Sequence, residues 1–165
     1  MIFAAIGLGY QLLAPIAPGN FLIRNSPALF FQEDNSVAPI YSQGEMWKLN
    51  RLAYTANLFF FDSPYLHTLP ERYDVVAFAD KQGRSRTGII VGFPGEEIEI
   101  LDGIVIVNGL PDYEGSVAGV SLQGVTPLTN VDRVAIFIVT LNFGVVDKTY
   151  QVPFNRLAGR VSKFP

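Results

Sequence analysis

The sequence predicts a mainly β protein: an antiparallel β-sheet core, a small inserted β region and an apolar N-terminal segment. Three observations carry this. No stretch holds a long 3.6-residue apolar period with caps at both ends. Short runs of Val, Ile, Phe and Tyr alternate with Gly, Pro, Asn and Asp clusters. Two dipeptides, Asp102-Gly103 and Asn108-Gly109, are strong hairpin signals between such runs.

Composition narrows the function classes. Hydrophobic residues make up 49% of the 165 residues and charged residues 16%, both on the apolar side for a soluble domain. The net charge of -3 argues against nucleic acid as a partner, because phosphate-backbone binding needs clustered Lys and Arg. Lys81, Arg84 and Arg86 form the longest basic cluster, within one short loop. With no cysteine, disulfides, thiolate metal sites and thiol catalysis are excluded. His67 is the single histidine, and it sits between Leu66 and Thr68 as a packing or surface residue. The aspartates show no metal-ligand spacing, so no cofactor or metal is expected.

Residues 1–18 carry no charge, and they are expected to form an apolar segment distinct from the β domain of 19–165. The run is marginal as a full membrane span, with Gln11 in its middle and Pro15 near its end. It lacks the positive n-region of a cleaved signal peptide. A short membrane anchor, a buried apolar segment and part of a longer anchor all fit it.

The β-like elements follow in order. Residues 21–24 and Ala28–Phe31 read as short strands, 32–36 as a polar turn, and 58–61 as an aromatic run broken by Ser63-Pro64. Residues 74–79 (DVVAFA) form a strand, 80–87 a charged hairpin loop, and 88–92 the returning strand. Glu97–Leu101 (EIEIL) alternates polar and apolar residues, the mark of a half-buried strand. Ile104–Val107 pairs back after Asp102-Gly103. Residues 109–130, rich in Gly, Pro, Ser and Thr, form the loop-rich insertion. Residues 134–141 (VAIFIVTL) read as a strand buried on both faces, and 150–152 and 159–161 close the chain.

Residues 88–109, GIIVGFPGEEIEILDGIVIVNG, resemble the signature block of the type I signal peptidases. The elements that match are Gly92-Phe93-Pro94-Gly95-Glu96, Asp102-Gly103 and Val107-Asn108-Gly109. Residues 71–78 (ERYDVVAF) resemble the strand before that block, and Val152-Pro153 with Leu157-Ala158-Gly159-Arg160-Val161 resemble the close of the fold. The likeness spans residues 71–165.

The resemblance implies a serine/lysine protease that removes export signals at the membrane. A serine hydroxyl attacks the scissile carbonyl, and a neutral lysine, buried in apolar surroundings, takes its proton. Counting back from Gly92 puts Gly88 at the lysine and Ile89 at the neighbouring arginine. The nucleophile motif matches Gln43-Gly44-Glu45-Met46-Trp47-Lys48-Leu49, which puts Glu45 at the serine, 43 positions before Gly88. A second register, Asn25-Ser26-Pro27-Ala28-Leu29-Phe30, resembles the pilin-processing branch and offers Ser26 as nucleophile, 62 positions before Gly88. The late polar box falls on residues 141–150, with Asp147 and Tyr150 matching, Val145 in place of a serine and Thr149 in place of an arginine.

The expected site is therefore a degenerate dyad, Glu45 and Gly88, within a vestigial groove of Gln43, Gly44, Met46, Val145, Asp147 and Lys148. The resemblance implies a catalytically inactive, membrane-associated protein with its β domain on the extracytoplasmic side. It would bind an exported or pilin-like polypeptide by strand addition and assist its assembly. Two alternatives stay open. One is an active protease, through Ser26 or with the missing base supplied by a partner subunit or relocated to Lys81, the loop of Arg84, or Lys148. The other is a structural subunit of a membrane complex. Expected partners are the polypeptide, membrane lipid and other subunits of such a complex.

Overall fold

The structure, a computed structural model, describes residues 27–32, 35–56, 65–66, 68–113 and 122–163. The expectations for 1–18, 21–24, 58–61, Ser26 and His67 fall outside these residues. The strands are β1 (Ala28–Phe31), β2 (Met46–Asn50), β3 (Thr55–Ala56), β4 (Tyr65–Leu66), β5 (Val75–Ala79), β6 (Ser85–Gly92) and β7 (Glu97–Leu101). They continue with β8 (Ile104–Val107), β9 (Leu110–Asp112), β10 (Thr126–Asn130), β11 (Ala135–Asn142), β12 (Val145–Pro153) and β13 (Leu157–Lys163). A 3-10 turn, Phe154–Arg156, joins the last two.

A seven-stranded sheet has the order β1-β2-β13-β5-β6-β11-β12, and a four-stranded sheet the order β10-β7-β8-β9. Strands β3 and β4 form a small pair. All the strand pairings are antiparallel. Alternation along the strands sorts the side chains onto two faces. One cluster takes Val75, Ala77, Ile89, Val91, Phe137 and Val139 with Ile98, Ile100 and Val105 of the small sheet. The other takes Val76, Phe78, Ile90, Ile136, Ile138 and Val152. Both faces of β6 and β11 are therefore covered, as the apolar run at 134–141 implies. Each fully buried Ile here contributes on the order of 2 kcal/mol.

The hairpin reading at 97–109 matches the structure residue for residue. Glu97–Leu101 pairs with Ile104–Val107, Ile98 facing Val107 and Leu101 facing Ile104. Asp102 and Gly103 both have positive φ, 49° and 87°, as do Asn108 and Gly109, 52° and 78°. Backbone of this kind matches the right-handed strand twist and favours Asn, Asp and Gly. A third turn of the same kind, Phe143-Gly144 with φ 50° and 88°, joins β11 to β12.

Other boundaries differ. The second sheet begins at Glu97, so the inserted region expected at 109–130 is only its later half. Pro111 and Pro127 made that stretch look like loop. They sit in β9 and β10, the two edge strands, where a missing N–H breaks no inner ladder. Strand β6 starts at Ser85 and not at Gly88, so Arg86 is part of the ladder, opposite Phe78. Strand β12 runs from Val145, and its polar residues, unreadable as strand by hydropathy, are those of an exposed edge.

Candidate functional site

The loop between β1 and β2 builds the site. Residues 35–41 fold over the end of β11: the Leu141 amide donates to the Ser36 carbonyl at 2.7 Å, and the Gly144 amide to the Ala38 carbonyl at 2.8 Å. Val37, Ala38, Ile40 and Tyr41 are buried beneath it. This holds Ser36 against Thr87 of β6, with the hydroxyl oxygens 2.7 Å apart. The Gln32 amide nitrogen donates to Ser36 Oγ at 3.1 Å and reaches Thr87 Oγ1 at 3.1 Å. Gln32 and Thr87 are buried. Thr87 shares its face with Ile89 and Val91, as the strand period requires.

Ser36 also borders a cleft of about 210 Å3 whose other walls are Asn35, Arg86, Thr140, Leu141, Asn142, Asp147, Lys148 and Tyr150. Lys148 Nζ lies 3.6 Å from Asp147 Oδ2, both side chains being exposed. Thus the cleft joins one serine hydroxyl, two cations and one carboxylate. Nucleophilic catalysis needs a base in hydrogen-bond reach of the hydroxyl. Thr87 and Gln32, which both touch Ser36 Oγ, are neutral groups and supply no such base. Among the described residues no group of three carboxylate or imidazole side chains converges as metal ligands would.

The residues expected at the dyad positions have different surroundings. Glu45 is exposed; its Oε2 accepts the Ser42 amide at 2.8 Å and closes its own turn. Gly88 lies in β6 with its open side toward the opposite cluster. A Cβ there would stand 2.6 Å from Ile138 Cγ2, 2.8 Å from the Val139 carbonyl oxygen and 3.2 Å from Phe78 Cε1. Gly88 therefore faces packed neighbours and no vacant pocket. Among the expected groove residues, Asp147 and Lys148 line the cleft. Gln43, Gly44 and Met46 do not: they lie around the turn leading into β2, with the Gly44 amide donating to the Gln32 carbonyl at 2.9 Å. Val145 is exposed and bridges Gln123 in parallel. Glu45 and Lys148 form no ion pair. Ser36 is the site residue that sequence reasoning missed. It lies 52 positions before Gly88, and the run Ser36-Val37-Ala38-Pro39, with its proline three residues after the serine, was the available signal.

The Pro-Gly-Glu block is scaffold. Glu96 accepts the Phe93 amide at 2.7 Å and pairs with Arg72 at 2.7 Å. Arg72 also donates to the Val91 carbonyl, stacks on Phe93 at 5.1 Å and reaches Asp112 at 3.5 Å. Tyr73 donates to the same Asp112 carboxylate at 3.0 Å. Burial, reinforced by that carboxylate, raises the Tyr73 phenol well above its ordinary range. Together Arg72 and Tyr73 clamp the small sheet to the large one. Gly92 allows the close approach: a Cβ there would stand 2.5 Å from Ile98 Cγ1.

An antiparallel β-sheet core bearing this block, with a serine-bordered cleft at one end, defines the class. The family model described as signal peptidase, peptidase S26, matches residues 10–126, and the chain belongs to that family. Among solved structures it is similar to a signal peptidase I from Enterococcus faecalis, at 18% identity and a TM-score of 0.41 over 56% of this chain and 97% of the other. No curated protein matches it significantly.

Proposed function

We propose that this chain is a polypeptide-binding member of the signal peptidase family without the serine/lysine chemistry. It receives an exported or pilin-like polypeptide in the cleft beside Ser36 and assists its assembly at the membrane, on the extracytoplasmic side. The observation that carries the reading is the packing at Gly88: Ile138, Val139 and Phe78 occupy the space a lysine base would need. Glu45, tied to the Ser42 amide, offers no substitute nucleophile. The cleft keeps polar walls suited to an extended chain, and Asn142 and Lys148 are exposed at its rim. Among the described residues no helix is long and apolar enough to cross a membrane. Attachment would thus rest on a surface of the β domain, on residues outside those described, or on other subunits of a complex.

A second reading is favoured by one observation: Ser36 and Lys148 border the same cleft. In it Lys148 serves as a relocated base and the protein is a protease. One experiment separates the two. Labelled signal-peptide and pilin precursors are titrated against the full chain in non-ionic detergent, and the products are read by mass spectrometry. Saturable binding without cleavage, weakened by Asn142→Trp in the cleft, supports the binding reading. Cleavage by the wild type that is lost in both Ser36→Ala and Lys148→Met overturns it and establishes the protease.

A further inference from the structure

The basic cluster at 81–86 has no role in the cleft beyond Arg86, yet the structure joins it to a second pocket. The β5–β6 loop faces the later half of β12 and the 3-10 turn across a cavity of about 220 Å3. Lys81, on the loop, and Arg156, on the turn, both line it. Asp80 is the single carboxylate in its lining, and its oxygens are already engaged. They accept the amides of Gln82 and Arg84, each at 2.9 Å, and the guanidinium groups of Arg84 at 2.9 Å and Arg86 at 3.4 Å. The Asp80 side chain is 1% exposed, so it turns inward and leaves the cavity to the cations.

Among the described residues neither Lys81 nor Arg156 pairs with a carboxylate. Arg156 gives one hydrogen bond, to the Asp80 carbonyl at 3.3 Å, and keeps its other donors. Of the charged residues that line it, Lys81 and Arg156 against Asp80 leave a local charge of +1 in a chain whose net charge is -3. That surplus is concentrated at a concave surface, where it attracts an anion. A phosphate group presents several acceptor oxygens and suits an ammonium and a guanidinium in one pocket.

We infer that the Lys81–Arg156 pocket binds a phosphate group, carried by a lipid headgroup or by a soluble ligand. Tyr150 lines both this pocket and the Ser36 cleft, so the site adjoins the one assigned to polypeptide and shares one residue with it.

The test uses the full chain in non-ionic detergent at constant ionic strength. Inorganic phosphate is titrated while backbone amide shifts are followed by NMR. The expected result is a saturable response centred on residues 81–84 and 149–156. Binding weakens about tenfold in Lys81→Gln and in Arg156→Gln, the scale of one charge-assisted hydrogen bond, and is unchanged in Lys163→Gln. Micelles doped with phosphatidylglycerol are then compared with micelles doped with phosphatidylcholine. Displacement of phosphate by the anionic lipid alone identifies a headgroup site, and no displacement identifies a soluble phosphate ligand. A response that does not saturate, or that survives both substitutions at full strength, overturns the proposal.

Discussion

Gly88 of β6 and Ile138 of β11 approach so closely that a Cβ on the glycine would stand 2.6 Å from Ile138 Cγ2. On the same side the Val139 carbonyl oxygen lies 2.8 Å away. Backbone cannot give way as a flexible side-chain end can, so any larger residue displaces one strand against the other. Gly88→Ala is expected to destabilise the fold by about 1–3 kcal/mol, the range for overpacked cores. Chemical denaturation measures this. Gly88→Lys adds a charge in an apolar cluster and is expected to leave little folded protein. A Glu45→Ser/Gly88→Lys variant therefore gains no peptidase activity. A folded, active double variant would show that the packing rearranges to admit the amine.

The Ser36–Thr87 contact supports a second prediction. Their hydroxyls and the Gln32 amide satisfy one another in a largely buried cluster. Thr87→Val keeps the shape and removes the hydroxyl, and with it one hydrogen bond of the buried Gln32 amide. A loss of about 1–3 kcal/mol is expected. A double-mutant cycle with Ser36→Ala should give a coupling energy of at least 0.5 kcal/mol or so, the lower bound for residues in one hydrogen-bond network. Additive effects would mean that the loop at residues 35–41 is held by its backbone bonds alone.

How legible these features were depends on the range of the contacts that create them. The 97–109 hairpins could be read because Asp102-Gly103 and Asn108-Gly109 fix the backbone locally and Ile98 and Ile100 alternate with Glu97 and Glu99. The place of Ser36 could not, since it depends on the Leu141 amide, far along the chain. Nor could the facing of Gly88. Its register against the Pro-Gly block was read from sequence, but the fit against Ile138 appears only when β6 and β11 pair. Family resemblance located the block; its residues, Glu96 and Gly92 above all, turned out to hold the two sheets together.

Asp80 links the basic loop to acid stability. Burial disfavours its charge, but the Arg84 amide and guanidinium, the Gln82 amide and the nearby positive charge outweigh this and hold the carboxyl below its usual range. A depressed carboxyl contributes stability above its unfolded value, about pH 4, and loses it as pH falls through the lower folded value. The prediction is a fall in stability below about pH 4 that is smaller in Asp80→Asn. Denaturation midpoints between acid and neutral pH test it. Parallel curves for the two proteins would mean that other carboxylates govern the acid limb.

The Arg72 clamp sets the last expectation. Its guanidinium pairs with Glu96 at 2.7 Å, lies over Phe93 and reaches Asp112 of the small sheet at 3.5 Å. Lysine carries the same charge but cannot fork between the Val91 carbonyl and Glu96 while stacking on the ring. Arg72→Lys is therefore expected to cost about 1–3 kcal/mol, the cost of unmade hydrogen bonds to charged groups. The loss should be local. Amides of β7, β8 and β9 would exchange faster, whereas those at the centre of β6 and β11, covered on both faces, would keep their protection. Hydrogen exchange resolved by residue distinguishes the outcomes. Uniform acceleration would show that the two sheets open as one unit, and that Arg72 and Tyr73 stabilise the whole fold and not the junction alone.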